Sequence, residues 1–82
     1  MYEIVFTKQS IVDLEMLDDP TRRRIVKKLK EYSAAPFHFA HKLSDPKIGT
    51  YRFRIGDFRV IFDLSGEKIV ILRIGNRREI YR

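Results

Sequence analysis

Six arginines in the second half of the chain are the residues best suited to chemistry on phosphate. They sit at alternate positions of three predicted strands or just beyond the last one: Arg52, Arg54, Arg59, Arg73, Arg77 and Arg78. Neighbouring strands lie about 4.8 Å apart, so guanidinium groups on one sheet face would converge on a patch the size of a nucleotide. Arginine suits such a ligand because its planar fork donates two hydrogen bonds at once. We interpret the set as a polyanion-binding face; the alternative is an exposed face whose arginines pair with Asp57, Asp63 and Glu79.

The positive charge is unevenly distributed along the 82 residues, whose net charge is +6. Residues 1–35 hold seven basic and six acidic side chains, a balance of +1, whereas residues 36–82 hold ten and five, a balance of +5. Charge concentrated in one half indicates an anionic partner, with nucleic acid as the first candidate and an acidic protein as the second.

Two other polar clusters are weaker candidates. The first is a basic run, Thr21-Arg22-Arg23-Arg24 followed by Lys27, Lys28 and Lys30. A surface helix normally carries such residues, so we interpret them as a solvated face; a second contact for a large RNA such as ribosomal RNA is the alternative. The second cluster is His38 and His41, which have no third ligand nearby in the sequence. We therefore expect no metal site and no cofactor.

The periodicity of apolar residues predicts the elements that position these side chains. Residues 2–6 alternate as a strand. A helical stripe follows with Ile11, Leu14 and Leu17, flanked by Val12 and Met16. Asp19 is the predicted N-cap of a second helix, with Pro20 at its first position, and Pro36 stops that helix. The stripe of the second helix consists of Ile25, Val26, Leu29 and Tyr32.

The second half of the chain is predicted to be an antiparallel meander. Residues 35–49 read as a loop, and from Thr50 the period becomes two. Phe53 and Ile55 then share one face with Val60 and Phe62 of the next strand. In the third strand Val70, Leu72 and Ile74 are predicted to point inward, and Ile69, Ile71 and Arg73 outward.

We therefore expect an α+β fold in one domain spanning residues 1–82. It consists of an N-terminal strand, a two-helix hairpin and a three-stranded antiparallel meander, in one sheet with the helices packed on one face. The chain has no cysteine and no apolar run of about 20 residues, so we expect a cytoplasmic protein without a membrane span.

Two segments carry a resemblance to a known family. They are YRFRIGDFRVIF at residues 51–62 and IVILRIGNRREIY at residues 69–81. With the order of predicted elements they closely resemble the RelE/ParE toxin superfamily, and its RelE branch more closely, over nearly the whole chain. The resemblance implies the toxin of a type II toxin–antitoxin system, which enters the ribosomal A site and cleaves mRNA without a metal ion.

The resemblance also implies roles for individual residues. The implied catalytic residues are Arg54, Arg59, Arg77 and Tyr81, and RNA binding falls to Arg52, Arg73 and Arg78. Arg52 and Arg54 match residues that hold the substrate backbone and the scissile phosphate. Arg59 matches one that stabilises the developing charge. Arg77 matches a basic residue near the leaving oxygen, and Tyr81 matches a tyrosine that orients or deprotonates the 2′-OH.

Two positions depart from the family pattern. Arg54 stands where some relatives have lysine, and Asn76 stands where many have histidine. Arginine does not give up its proton at ordinary pH, and asparagine in place of histidine removes a titratable group from the site. Both departures therefore shift any base role to Tyr81. A phenol with an ordinary pKa of about 10 can act as a base only if nearby arginines lower that pKa. A purely structural ring that seals the sheet is the alternative for Tyr81.

The resemblance leaves two other functions open and implies several partners. The alternatives are a ParE-like inhibitor of DNA gyrase and a non-catalytic RNA-binding member of the same fold. The implied partners are the ribosome, mRNA and a small acidic RelB-like antitoxin. That antitoxin would lie across the helices or the basic sheet through an amphipathic helix, and the complex would bind operator DNA through the antitoxin.

Overall fold

The fold is built around one five-stranded sheet in this computed structural model, which describes residues 2–44 and 49–80. In chain order the elements are β1 (Glu3–Phe6), α1 (Lys8–Glu15), α2 (Asp19–Tyr32), α3 (Pro36–Phe39), β2 (His41–Lys42), β3 (Tyr51–Ile55), β4 (Phe58–Ser65) and β5 (Lys68–Asn76). The strand order is β1-β5-β4-β3-β2, and β1 runs parallel to β5 while the other pairs are antiparallel. The predicted α+β class, element order and antiparallel meander are confirmed.

Side-chain caps begin the two longer helices. Thr7 is the N-cap of α1, where its hydroxyl accepts a hydrogen bond from the Ser10 amide. The cap of α2 is Asp18, whose carboxylate accepts from the Thr21 amide at 3.4 Å. The predicted cap, Asp19, is therefore wrong by one residue. Pro20 tolerates this shift because all of the first helical turn lacks intrahelical partners for its N–H groups.

The core lies between the helices and one face of the sheet. It contains Ile25, Leu29, Phe53, Ile55, Val60, Phe62, Ile69, Ile71 and Ile74. The stripe predicted for the first helix is only partly correct, because Leu14 and Leu17 pack against the core while Met16 is 82% exposed. Met16 follows Val12 by one helical turn and its amide donates to the Val12 carbonyl, so it lies on the same side as Val12, which is 48% exposed; Ile11 of the predicted stripe is 45% exposed.

A bulge reverses the predicted faces of the first half of β5. Ile61 is opposite Arg73 but Phe62 is opposite Ile71, which leaves Leu72 as an extra residue in β5. Ile69 and Ile71 consequently point into the core, where both are fully buried, and the prediction that they point outward is wrong. Strict alternation fails here because one inserted residue moves every side chain on one side of it to the other face.

The segment predicted as a loop contains two short elements, α3 and β2, and ends at Gly49 over the sheet face opposite the helices, here called the outer face; residues 45–48 of the predicted loop lie outside the described residues. Gly49 lies directly on this face: a Cβ at that position would come within 2.5 Å of Ile61 Cγ2. The Thr50 amide donates to Asp63 Oδ1 at 2.8 Å, which anchors the segment. Ile61 is therefore fully buried although it points away from the core.

The described part of the chain holds no helix that is both long and apolar enough to cross a membrane.

Candidate functional site

Three arginines share the outer face of β3 and β4, and we call them the arginine face: Arg52, Arg54 and Arg59. The register fixes this arrangement. Arg54 is the cross-strand partner of Arg59, and Arg52 lies two residues along β3, opposite Ile61. Their neighbours Phe53 and Val60 are fully buried in the core, so the arginines point the other way. The predicted convergence of these three side chains on one face agrees with the register.

The Arg54–Arg59 pair brings two like charges into direct opposition. Cβ atoms of opposite residues on antiparallel strands lie about 4.5–5.5 Å apart, and like charges in that position are destabilising. Arg54 is exposed and has no ion-pair partner among the described residues. A bound phosphate would relieve this repulsion, because one anion can accept hydrogen bonds from both guanidinium groups.

Arg59 is held more firmly than the sequence suggests. One of its terminal nitrogens, Nη1, donates to the Gly56 carbonyl and to the Phe58 carbonyl, each at 3.0 Å. The residue is half-buried. The turn between β3 and β4 thus fixes this guanidinium in advance of any ligand, which lowers the entropic cost of binding.

Helix α2 contributes a further guanidinium near this end of the sheet. A Cβ at Gly56 would lie 2.9 Å from both terminal nitrogens of Arg24, so that side chain packs against the β3–β4 turn. Sequence reasoning grouped Arg24 with the solvated basic residues of the helix. No local pattern separates it from Arg22 and Arg23, because its position depends on how α2 crosses the sheet.

Arg73 is paired with a carboxylate and is not gathered with the arginine face. Its Nε donates to Asp13 Oδ2 at 2.9 Å, and the Ile74 amide donates to the same oxygen at 2.9 Å. Burial raises the pKa of Asp13, but the hydrogen bonds from Arg73, Ile74 and Gln9, with the charge of Arg73, outweigh it and hold that pKa below its ordinary value. The predicted RNA contact of Arg73 would require this ion pair to open.

The segment after β5 runs back toward the turn that holds Arg59. The Arg77 amide donates to the Asp57 carbonyl at 2.9 Å. Asn76 organises the turn that follows: its side-chain oxygen accepts from the Arg78 amide at 3.0 Å, and its carbonyl accepts from the amides of Glu79 and Ile80. Arg77 and Arg78 are exposed. Asn76 therefore has a structural role that the sequence did not indicate.

Tyr81 lies outside the described residues, and its predicted place beside the arginines stays a prediction. Ile80, the residue before it, is only 7% exposed, so the chain is packed up to that point. Within residues 2–44 and 49–80, no three side chains of the metal-binding types His, Cys, Asp and Glu come together.

Comparison with known proteins gives the family. Residues 4–81 match the family described as "ParE toxin of type II toxin-antitoxin system, parDE". The chain belongs to the RelE/ParE toxin superfamily. Toxin RelE3 of Methanocaldococcus jannaschii is 28% identical over 83 residues, which cover 96% of this chain and 94% of that protein. The chain is thus a toxin of a type II toxin–antitoxin system.

Solved structures give the same fold. The toxin–antitoxin complex RelBE2 of Mycobacterium tuberculosis contains a chain that is similar with a TM-score of 0.83 and 25% identity, covering 93% of this chain and 98% of that one. The archaeal RelE–RelB complex of Pyrococcus horikoshii gives a TM-score of 0.75 and 27% identity, covering 95% and 97%. These relatives share the RelE-like arrangement of strands and helices.

Proposed function

We propose that this toxin is a ribosome-dependent endoribonuclease that cleaves mRNA in the A site without a metal ion. The observation that carries the proposal is the direct opposition of Arg54 and Arg59, with Arg52 two residues away on the same face. Such a cluster costs stability in the free protein and is useful only when an anion joins it. The phosphodiester backbone of RNA supplies one such anion per nucleotide.

The reaction proposed for this face is an internal phosphoryl transfer. The 2′-oxygen of one nucleotide attacks the adjacent phosphorus, and the bond from phosphorus to the 5′-oxygen of the next nucleotide breaks. The products are a 2′,3′-cyclic phosphate and a 5′-hydroxyl. The proton of the 2′-OH leaves to a base or to water, and the departing 5′-oxygen gains a proton.

Placed positive charge accounts for most of the proposed catalysis. Arg52 and Arg54 hold the backbone and the scissile phosphate, while Arg59, fixed by two carbonyls, faces the charge that develops on the phosphoryl oxygens. Removing one such donor costs on the order of 10²–10³ in rate. Arg77 stands near the leaving oxygen in this scheme, and Tyr81 orients or deprotonates the 2′-OH.

A ParE-like action on DNA gyrase is the second candidate, because the family matched over residues 4–81 is that of ParE. A gyrase inhibitor has no need of the Arg59, Arg77 and Tyr81 set. Induced expression followed by transcript-end mapping, with a supercoiling assay on purified gyrase, separates the two. New mRNA ends with normal supercoiling support the nuclease, and lost supercoiling without new ends supports the gyrase inhibitor. RNA binding that is salt-sensitive but produces no cuts would indicate the non-catalytic member.

The proposal includes a small acidic antitoxin as partner, since the M. tuberculosis and P. horikoshii relatives were solved as toxin–antitoxin complexes. The net charge of +6 favours an acidic partner. Helix α1 leaves Ile11 and Val12 about half exposed, at 45% and 48%, and Phe37 of α3 is 63% exposed. An amphipathic helix across these helices would bury them, so Val12→Glu should weaken the complex measured by calorimetry.

A further inference from the structure

Asp13 is a nearly buried carboxylate that the proposed reaction does not use. It lies on α1, and its side chain is only 9% exposed. Three donors surround it: the Ile74 amide and Arg73 Nε, each at 2.9 Å from Oδ2, and Gln9 Nε2 at 3.0 Å from Oδ1. A carboxylate held by a backbone amide and a guanidinium is fixed in place, because charge-assisted hydrogen bonds are the strong ones.

The carboxylate stands where the sheet lacks a strand. β1 pairs with β5 only from Lys68 to Ile71. Beyond this pairing, the Thr7 amide donates to the Ile71 carbonyl at 3.2 Å, and the Thr7 hydroxyl donates to the Ile71 carbonyl at 2.8 Å and to the Leu72 carbonyl at 3.4 Å. Among the described residues, β5 continues to Asn76 with no neighbouring strand on that side. The Ile74 amide would therefore point at an open edge. Asp13 supplies the acceptor that a longer β1 would otherwise provide.

Ile74, whose amide Asp13 caps, lies between the bulge at Leu72 and the last residues of β5, which pair with the part of β4 that carries Arg59. Val60 is opposite Ile74, and Arg59 is opposite Gly75. Two residues further on, the Arg77 amide is bound to the Asp57 carbonyl. The segment from Ile74 to Arg77 is thus paired with β4 as far as Asn76, while Asp13 holds its other edge at Ile74 and the turn that also holds Arg59 binds its end at Arg77.

We infer that Asp13 is a positioning residue for the site: by capping the open edge of β5 it fixes the segment that carries Arg77 against the strand that carries Arg59. The inference rests on the proposed function for its effect on cleavage. Its effect on the backbone is independent of that function. The same ion pair holds the Arg73 guanidinium against α1. Arg73 and Arg52 are both cross-strand partners of Ile61, so the strand register alone would place Arg73 on the outer face with Arg52.

The test compares Asp13→Ala with Asp13→Asn in the full-length toxin. Asparagine keeps an oxygen that can accept from the Ile74 amide but loses the charge. Asp13→Asn should therefore retain most of the exchange protection and cleavage that Asp13→Ala loses. Amide hydrogen exchange is followed at Ile74 and Arg77, and cleavage is followed on programmed ribosomes at a temperature where all variants are folded. Gln9→Ala is the matched control, since it removes only the exposed donor to the same carboxylate.

In Asp13→Ala we expect exchange at Ile74 to accelerate about tenfold or more, with a smaller acceleration at Arg77. Cleavage should fall on the order of 10- to 100-fold, because a displacement of about 1 Å in a catalytic group has that effect. Exchange at Ile74 unchanged from wild type would overturn the inference, as would a change confined to Ile74 that does not reach Arg77. Equal damage from alanine and asparagine would also overturn it. If wild type cuts no RNA, the proposed function fails while the exchange data still decide the role of Asp13.

Discussion

Removing the charge of Arg54 should separate activity from stability. Arg54 is exposed, lacks an ion-pair partner among the described residues and is opposite Arg59. In Arg54→Gln one guanidinium that would hold the scissile phosphate is gone, so cleavage should drop on the order of 10²–10³-fold. Within residues 2–44 and 49–80, Arg54 makes no side-chain ion pair that would be lost, so the stability of the fold should not fall.

The change in stability follows from the cross-strand geometry. Opposite Cβ atoms lie about 5 Å apart, and at a guanidinium separation of roughly 7 Å two like charges would repel by about 0.6 kcal/mol in water before screening. Relief of that repulsion should raise Tm by about 2–4 °C at low salt for a domain of this size. The increase should shrink as salt is added, because the groups are exposed to solvent.

Calorimetry at two salt concentrations and cleavage on programmed ribosomes measure both effects. Lys68→Gln is the matched control, because it removes the same charge from an exposed residue at the far end of the β4–β5 hairpin. It should leave cleavage near the wild-type rate. Cleavage at the wild-type rate by folded Arg54→Gln would rule out this role for Arg54. A Tm lower by several degrees, with activity lost in proportion to the unfolded fraction, would rule it out as well.

Three further predictions test other parts of the structure. Gly49→Ala should destabilise the fold by about 1–3 kcal/mol in urea unfolding, since its Cβ would lie within 3.0 Å of both Ile61 and Leu72 side chains; an unchanged urea midpoint would contradict that packing. Because the pKa of Asp13 is lowered in the fold, its contribution to stability is present above the unfolded-state pKa and lost as pH falls through the folded-state pKa. The stability gap between wild type and Asp13→Asn should therefore close in acid, and a gap independent of pH would argue against the ion pair. Asp18→Ala should lower Tm more than Asp19→Ala, because Asp18 is the cap of α2. A larger decrease in Tm from Asp19→Ala would indicate instead that Asp19 is the cap, as predicted from sequence.

The arginine face could be predicted because β3 and β4 alternate strictly. Tyr51-Arg52-Phe53-Arg54-Ile55 and Phe58 onward place apolar residues on one side without interruption, and the two-residue turn at Gly56-Asp57 sets the register. Helix α2 was predictable for a similar reason, since Ile25 and Leu29 are buried at the expected spacing. In each case the residues that local spacing places on the apolar side are the ones buried in the fold, so tertiary packing did not override the local pattern.

The bulge in β5 and the contacts of Arg73 and Arg24 could not be predicted, because each depends on packing between distant parts of the chain. Nothing in the sequence marks Leu72 as the bulged residue, since the strand reads as continuous β-branched and aliphatic residues. The capture of Arg73 by Asp13 joins side chains 60 residues apart. The approach of Arg24 to the β3–β4 turn likewise follows from how α2 crosses the sheet.

The most direct test is to incubate the purified toxin with ribosomes programmed with a defined mRNA and to analyse the RNA ends. We predict a cut within the A-site codon that leaves a 2′,3′-cyclic phosphate upstream and a 5′-hydroxyl downstream, and that is lost in Arg54→Gln. Intact mRNA at saturating, folded toxin would rule out the proposed nuclease, and cuts of equal rate in both proteins would rule out the role of Arg54.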